Sequence, residues 1–198
     1  MAFRPDFSIR VNRLEVITCL LVSPVVVRWQ NHYPPGPGPL DNMKLYLVQH
    51  GEAVSRQEDP ERPLSEQGIR DVQAMADLLG HAPVKIARVW HSGKRRAAQT
   101  ADILARAVLS GGKAEAVEGL NPNDSVDEFA TDADVWEEDT LVAGHLPFMS
   151  RLVSLLVTGG SDVELVAYQP GSVVCLERVD AERWVILWML RPDMVAEG

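Results

Sequence analysis

The chain has 198 residues, 46% of them hydrophobic and 24% charged, with a formal net charge of −9. These proportions suit a globular enzyme domain, and the acidic balance excludes nucleic acid and a stable association with an anionic membrane. Cys19 and Cys175 form neither a disulfide framework nor a metal-ligand spacing, so both read as free thiols in a reducing, cytoplasmic compartment.

The first 42 residues stand apart. They carry Arg4, Arg10, Arg13 and Arg28 against Asp6, Glu15 and Asp41. The apolar run from Leu14 to Val27 is too short for a membrane span, contains Glu15 and is broken by Pro24. No small-residue cleavage site of a secretory signal follows it. Pro34-Pro35-Gly36-Pro37-Gly38-Pro39 then reads as a semi-extended linker. Residues 1–42 are therefore expected to be a poorly ordered, dispensable extension, with a weak anchor or docking peptide as the alternative, and residues 43–198 one domain.

Within that domain the apolar run Leu45 to Val48 is bounded by a turn signal and predicts a buried strand over 44–49. His50-Gly51 follows at its carboxyl end, where open α/β sheets bind ligands. Gly51 permits a sharp turn or a close ligand approach. A helix is expected over 65–79, a strand over 86–91 and a helix over 94–109. Ala97, Ala101, Leu104 and Val108 form the apolar stripe of this last helix. Ser92 is its candidate N-cap.

Lys94, Arg95 and Arg96 then occupy the first turn, where the helix dipole already presents positive charge. A bound anion would offset that repulsion. Lys94 and Arg95 are read as projecting into water, and Arg96 as the anion ligand. A short strand is expected over 114–117, a helix near 125–135 and a strand over 139–144 ending at His145. Leu146-Pro147 opens a helix over 146–158, stopped by Gly159-Gly160. Strands at 164–168, 172–179 and 184–190 complete the chain, the last two joined by a turn at 180–182. This alternation implies an α/β fold with a mostly parallel sheet covered on both faces.

Four segments occur in the order of a known family: Val48-Gln49-His50-Gly51-Glu52, Arg62-Pro63-Leu64-Ser65-Glu66-Gln67-Gly68, Ser92 through Thr100, and Gly144-His145-Leu146-Pro147. On these, from Met43 to Pro192, the chain resembles the histidine phosphatase superfamily and, within it, the SixA-type phosphohistidine phosphatases. The resemblance implies a phosphoglycerate mutase-like, three-layer α/β/α fold and a phosphatase. Its catalytic residues would be His50 as nucleophile with Arg96 and His145, and its substrate-binding residues Gln49, Gly51, Arg62, Leu146 and Glu118. Three positions depart from the family pattern. Gln49 stands where an arginine is usual, Gly93 replaces a proline, and Glu118 lies one residue from the expected general acid.

The chemistry is consistent with these residue types. A neutral imidazole can attack phosphorus and form a phosphohistidine that water hydrolyses. Arg96 can offer a bidentate fork to the charge on the phosphoryl oxygens, and a protonated His145 a second charged donor. Gln49 brings donors without charge, and Arg62 is the candidate to compensate.

A phosphoramidate expels a better leaving group than an alkyl phosphate. A site without a firmly placed acid therefore points to a protein-borne phosphohistidine, of histidine-kinase or phosphotransfer type. A phosphoryl-binding module of low or no activity and a small-molecule phosphomonoesterase using Glu118 stay open. No cofactor is expected. No metal is expected either, because His50, Glu52, His91 and His145 lack a local ligand spacing and Arg96 would repel a cation. His91 is read mainly as a packing residue, and the acidic run 136–139 as surface away from the site.

Overall fold

The computed structural model describes residues 42–180 and 183–195. The extension expected over 1–42 therefore lies outside the described residues except for Asn42, as do two residues of the turn expected at 180–182. Six strands form one sheet in the order β3-β2-β4-β1-β5-β6. They are β1 (Lys44–Gln49), β2 (Arg88–His91), β3 (Glu115–Ala116), β4 (Thr140–Gly144), β5 (Val173–Asp180) and β6 (Arg183–Leu190). The first four run parallel, and β5 and β6 are antiparallel additions at one side. The helices are α1 (Glu66–His81), α2 (Arg95–Val108), α3 (Val126–Ala133) and α4 (Phe148–Thr158). This is the phosphoglycerate mutase-like α/β architecture.

β1 is apolar at every central position because both of its faces are covered. Successive side chains alternate across a strand. Leu45 and Leu47 enter a core with Val126, Phe129, Phe148, Met149, Leu152 and Val153 of α3 and α4. Tyr46 and Val48 enter a second core with Val72, Met75 and Leu79 of α1 and Ala101, Leu104 and Val108 of α2. α1 starts where Ser65 accepts a hydrogen bond from the Gly68 N–H at 3.0 Å. α4 ends at Gly159, which takes the left-handed conformation at φ 76°.

The expected strand at 164–168 is absent. Both edges of β1 are taken, by β4 and β5, and the segment pairs with neither outer strand of the sheet. Val166 and Tyr168 instead pack on the first core, and the Tyr168 hydroxyl donates to the Leu47 carbonyl at 3.3 Å. The other elements begin or end within a few residues of their predicted limits. α4 starts at Phe148, with Pro147 at its N-cap.

Part of the acidic run 136–139 is structural. Asp139 accepts a hydrogen bond from the Lys44 backbone N–H at 2.7 Å, and Glu138 pairs with Arg88 at 3.7 Å. These contacts lie at the amino ends of β1, β2 and β4, opposite the end where the histidines sit. No helix among the described residues is long and apolar enough to cross a membrane.

Candidate active site

Register brings the two histidines together. In the β1/β4 ladder Gln49 is opposite Gly144, so the next residue of each strand, His50 and His145, leaves the sheet at the same place. The His50 N–H donates to the Gly144 carbonyl at 3.0 Å, which fixes the exit. The two rings meet edge to face with centroids 4.9 Å apart.

β2 delivers the third group. It pairs with β4 on the side away from β1 and leads through Ser92 and Gly93 into α2. The Arg96 Nε donates to His50 Nε2 at 3.0 Å. His50, His145 and Arg96 thus share one locus at the carboxyl edge of the sheet.

The protonation of His50 follows from its contacts. Its Nδ1 lies 2.7 Å from the Gly51 carbonyl, which can only accept, so Nδ1 carries the hydrogen. Nε2 then keeps its lone pair, and the Arg96 guanidinium points at it. Burial, with the charges of Arg96 and Arg62, pushes the His50 pKa down to about 4 against the opposing effect of the Gly51 bond. At neutral pH His50 is a neutral imidazole, the form that attacks phosphorus.

His145 is likewise uncharged at rest. It is 2% exposed, and burial, followed by His50, Arg96, Lys94 and Arg62, lowers its pKa to about 3. The Ser92 Oγ lies 2.6 Å from its Nε2, whereas its Nδ1 is buried without a partner. Ser92 is therefore not the cap of α2. That position belongs to Lys94, and no side chain caps the helix. The capping rule weighed only the local chain and missed a partner 53 residues away.

Other predicted residues fall as follows. Arg62 stands at φ 50°, a left-handed conformation rare outside glycine, with its Nε donating to the Val54 carbonyl at 3.3 Å. Its charge reaches both histidines. Gln49 closes β1 with its Oε1 buried and unpartnered. Gly51 is buried under α1, where a Cβ would come within 2.7 Å of Val72 Cγ2. Its N–H donates to Thr100 Oγ1 at 3.0 Å, so close packing is what requires glycine here.

Leu146 is 38% exposed beside His145. Glu118 lies two residues past β3 and is exposed, with no hydrogen bond or ion pair among the described residues. His91 is buried, and its Nδ1 accepts the Gly93 N–H at 3.1 Å, shaping the turn that presents Ser92. Lys94 is half-buried with its ammonium open to solvent, and Arg95 is exposed and pairs with Asp59 at 3.9 Å.

Two supporting residues carried no separate signal in the sequence. Thr100 ties α2 to Gly51 and returns its own hydroxyl hydrogen to the Arg96 carbonyl at 2.8 Å. The Gln99 Oε1 accepts the Leu64 N–H at 2.8 Å and so holds the Arg62 loop against α2. Only their place in the Ser92–Thr100 segment marked them.

A neutral imidazole, a guanidinium and a second imidazole at the carboxyl edge of the parallel strands are groups suited to an oxyanion, a broad class of chemistry. The comparisons narrow it. Residues 45–122 match the family model described as histidine phosphatase superfamily (branch 1). An uncharacterized protein of Picosynechococcus sp. (strain ATCC 27264 / PCC 7002 / PR-6) is 31% identical over 124 residues, 59% of this chain and 74% of that protein. The chain belongs to the histidine phosphatase superfamily, and it is a phosphatase.

Two solved structures illustrate the shared fold. The protein histidine phosphatase SixA complexed with tungstate is 24% identical, with a TM-score of 0.69 over 77% of this chain and 99% of its own. A phosphoglycerate mutase from Bacillus anthracis str. Sterne is 14% identical, with a TM-score of 0.59 over 78% of this chain and 95% of its own.

Proposed function

We propose that this phosphatase hydrolyses a protein-borne phosphohistidine through a covalent phospho-His50 intermediate. The observation that carries the reading is the His50 ring itself, held as the Nδ1–H tautomer by the Gly51 carbonyl with its Nε2 lone pair facing Arg96. In the first step Nε2 attacks phosphorus, and the P–N bond to the substrate imidazole breaks with its electron pair going to that leaving nitrogen. In the second, water attacks the phosphorus of phospho-His50, the P–Nε2 bond breaks with its electron pair returning to Nε2, and inorganic phosphate leaves as the water's proton passes to solvent. During both steps Arg96 turns from Nε2 to the phosphoryl oxygens, where its fork balances the spread charge. His145, neutral at rest, takes up a proton as the anion arrives and becomes a second charged donor.

The substrate class rests on the leaving group. Glu118 is exposed and unengaged, and among the described residues no carboxylic acid is hydrogen-bonded to His50, His145 or Arg96. An imidazole departs without the strong proton donor that an alkoxide needs. The acidic surface also favours a protein partner over small anionic metabolites, and the buried free thiol of Cys175 suits action in the cytoplasm. A second reading, a phosphoryl-binding module of low activity, draws support from the uncharged Gln49.

The test is to expose the protein to phosphoramidate and to a phosphohistidine-bearing protein, and to trap the acid-labile adduct. Label on His50, absent in His50→Ala, with turnover of the phosphoprotein above that of alkyl phosphates, is expected. Efficient turnover of alkyl phosphates alone would overturn the substrate class. A near-inactive chain that gains a large rate in Gln49→Arg would establish the second reading.

A further inference from the structure

The segment that joins β2 to α2 touches both imidazoles. Arg96 donates to His50 Nε2 at 3.0 Å, and the Ser92 Oγ stands 2.6 Å from His145 Nε2. The two rings are themselves in contact, with centroids 4.9 Å apart. Phosphorus must enter along the His50 Nε2 lone pair, where Arg96 now sits, and Ser92 stands on the His145 side of that path. Ser92 is half-buried, and Gly93 beside it turns at φ 76° with no atom within 4 Å of where a Cβ would stand. The space next to the hydroxyl is open.

Where the hydroxyl hydrogen points follows from His145. This residue is 2% exposed, and its Nδ1 has no partner among the described residues. A neutral imidazole carries its hydrogen on one nitrogen only. On Nδ1 it would be a buried N–H without an acceptor. On Nε2 it is donated to Ser92, and only a lone pair goes unmatched. Orphaned buried N–H groups are the rarer of the two, so the resting form is Nε2–H. When His145 takes up a proton both nitrogens are donors, and Ser92 accepts again. In both states Oγ receives a hydrogen from His145, so its own hydrogen turns away. The contact with His145 is the only hydrogen bond of this hydroxyl among the described residues.

We propose that Ser92 is a substrate-binding residue. Its hydroxyl, turned outward by the hydrogen on His145 Nε2, donates to a non-bridging phosphoryl oxygen while the Arg96 fork takes others. This rests on the proposed phosphoryl site around His50. It also gives His145 a part before it is charged, because a neutral Nε2–H already orients the donor. A hydroxyl suits the place, since it rotates and both accepts and donates.

Three readouts test this: the ring-nitrogen NMR spectrum of His145, binding of tungstate and of inorganic phosphate, and KM against kcat for phosphoramidate. The free protein should show His145 protonated at Nε2, and an Nδ1–H ring would overturn the orientation. Ser92→Ala should weaken both oxyanions about ten-fold and raise KM, the size of one hydrogen bond to a charged group. Ser92→Thr keeps the hydroxyl and should stay within about three-fold. Ser92→Cys nearly keeps the shape and exchanges a strong donor for a weak one, so it should lose about five-fold even if Ser92→Ala does not fold. In a His145→Asn background Ser92→Ala should still cost about three-fold, because the hydroxyl has its own contact with the anion.

Equal oxyanion affinity in His145→Asn and in His145→Asn/Ser92→Ala would mean that Ser92 acts only by holding His145, and would overturn its contact with substrate. Wild-type affinity in Ser92→Cys, with affinity lost in Arg96→Met, would do the same and leave the phosphoryl site standing. A wild-type chain that binds neither oxyanion would overturn that site and this proposal together.

Discussion

At the scale of single residues the site is a problem in protonation. Both imidazoles are held neutral well below the ordinary histidine value of about 6.5, by burial first and by neighbouring cations second. On the proposed mechanism, His50 stays an uncharged nucleophile across the neutral range. kcat/KM is expected to hold from pH 7 to about 5 and to fall only as His50 protonates near pH 4, in a pH–rate profile on a substrate stable to acid. A fall centred near 6.5 would contradict the buried, cation-flanked imidazole.

For stability the sign is as follows. Below about 6.5 the unfolded chain binds protons that the folded chain refuses, so folding stability rises with pH between about 4 and 6.5 and is full above that window. His145→Asn removes one such group, so its unfolding midpoint in denaturant should drop less than that of wild type between pH 6.5 and 4. An equal drop would place the acid sensitivity elsewhere.

Ser92 gives a prediction of another kind. Ser92→Ala leaves both nitrogens of a buried imidazole without partners, since Nδ1 already has none. The expected cost is about 1–3 kcal/mol of stability with a lower kcat, read by denaturant unfolding and by steady-state kinetics. Simple loss of a helix cap would lower stability without touching kcat.

At the scale of elements, most of the fold is legible because a short apolar run leaves few choices. β1 and β4 announce themselves by continuous apolar residues that stop at a histidine, and parallel pairing then sets the two histidines side by side. What periodicity conceals is which contacts are made across the sheet. The run at 164–168 looks like a strand until the edges of β1 are counted. Ser92 looks like a cap because the reach to His145 is invisible in sequence.

Gly68 is a similar case. The family segment marks it without giving a reason; in the structure a Cβ there would overlap the Glu52 carbonyl oxygen and meet the Glu52 nitrogen at 2.8 Å. α1 rests directly on the backbone that follows His50-Gly51, pinned by the Ser65 N–H donating to the Glu52 carbonyl at 2.9 Å. Gly68→Ala must push helix and nucleophile loop apart. It is expected to destabilise by about 3 kcal/mol and to reduce phosphorylation of His50, in contrast to the gain Ala brings at an exposed helical position. Calorimetry and the trapping assay on one preparation would separate this from a merely weakened helix.

At the scale of the whole molecule, the charge balance and the placement of the core bear on the role of the first 42 residues. Among the described residues, both cores run from Met43 to Val195, and every side chain argued to touch a phosphoryl group lies between Gln49 and His145. We propose that residues 43–198 fold and turn over without the preceding segment. Its net charge is +1, so removing it leaves the remainder slightly more acidic, a change too small to reverse the local positive field of Arg62, Lys94 and Arg96. A chain beginning at Met43 is expected to melt within about 2 °C of the full chain and to keep its kcat/KM toward a small phosphoramidate, as removal of surface residues alone would allow. Because a phosphoramidate reports only the site, a chain that keeps it but loses turnover of the phosphohistidine protein would assign the first 42 residues to partner docking, and a large drop in melting temperature would assign them to the fold itself.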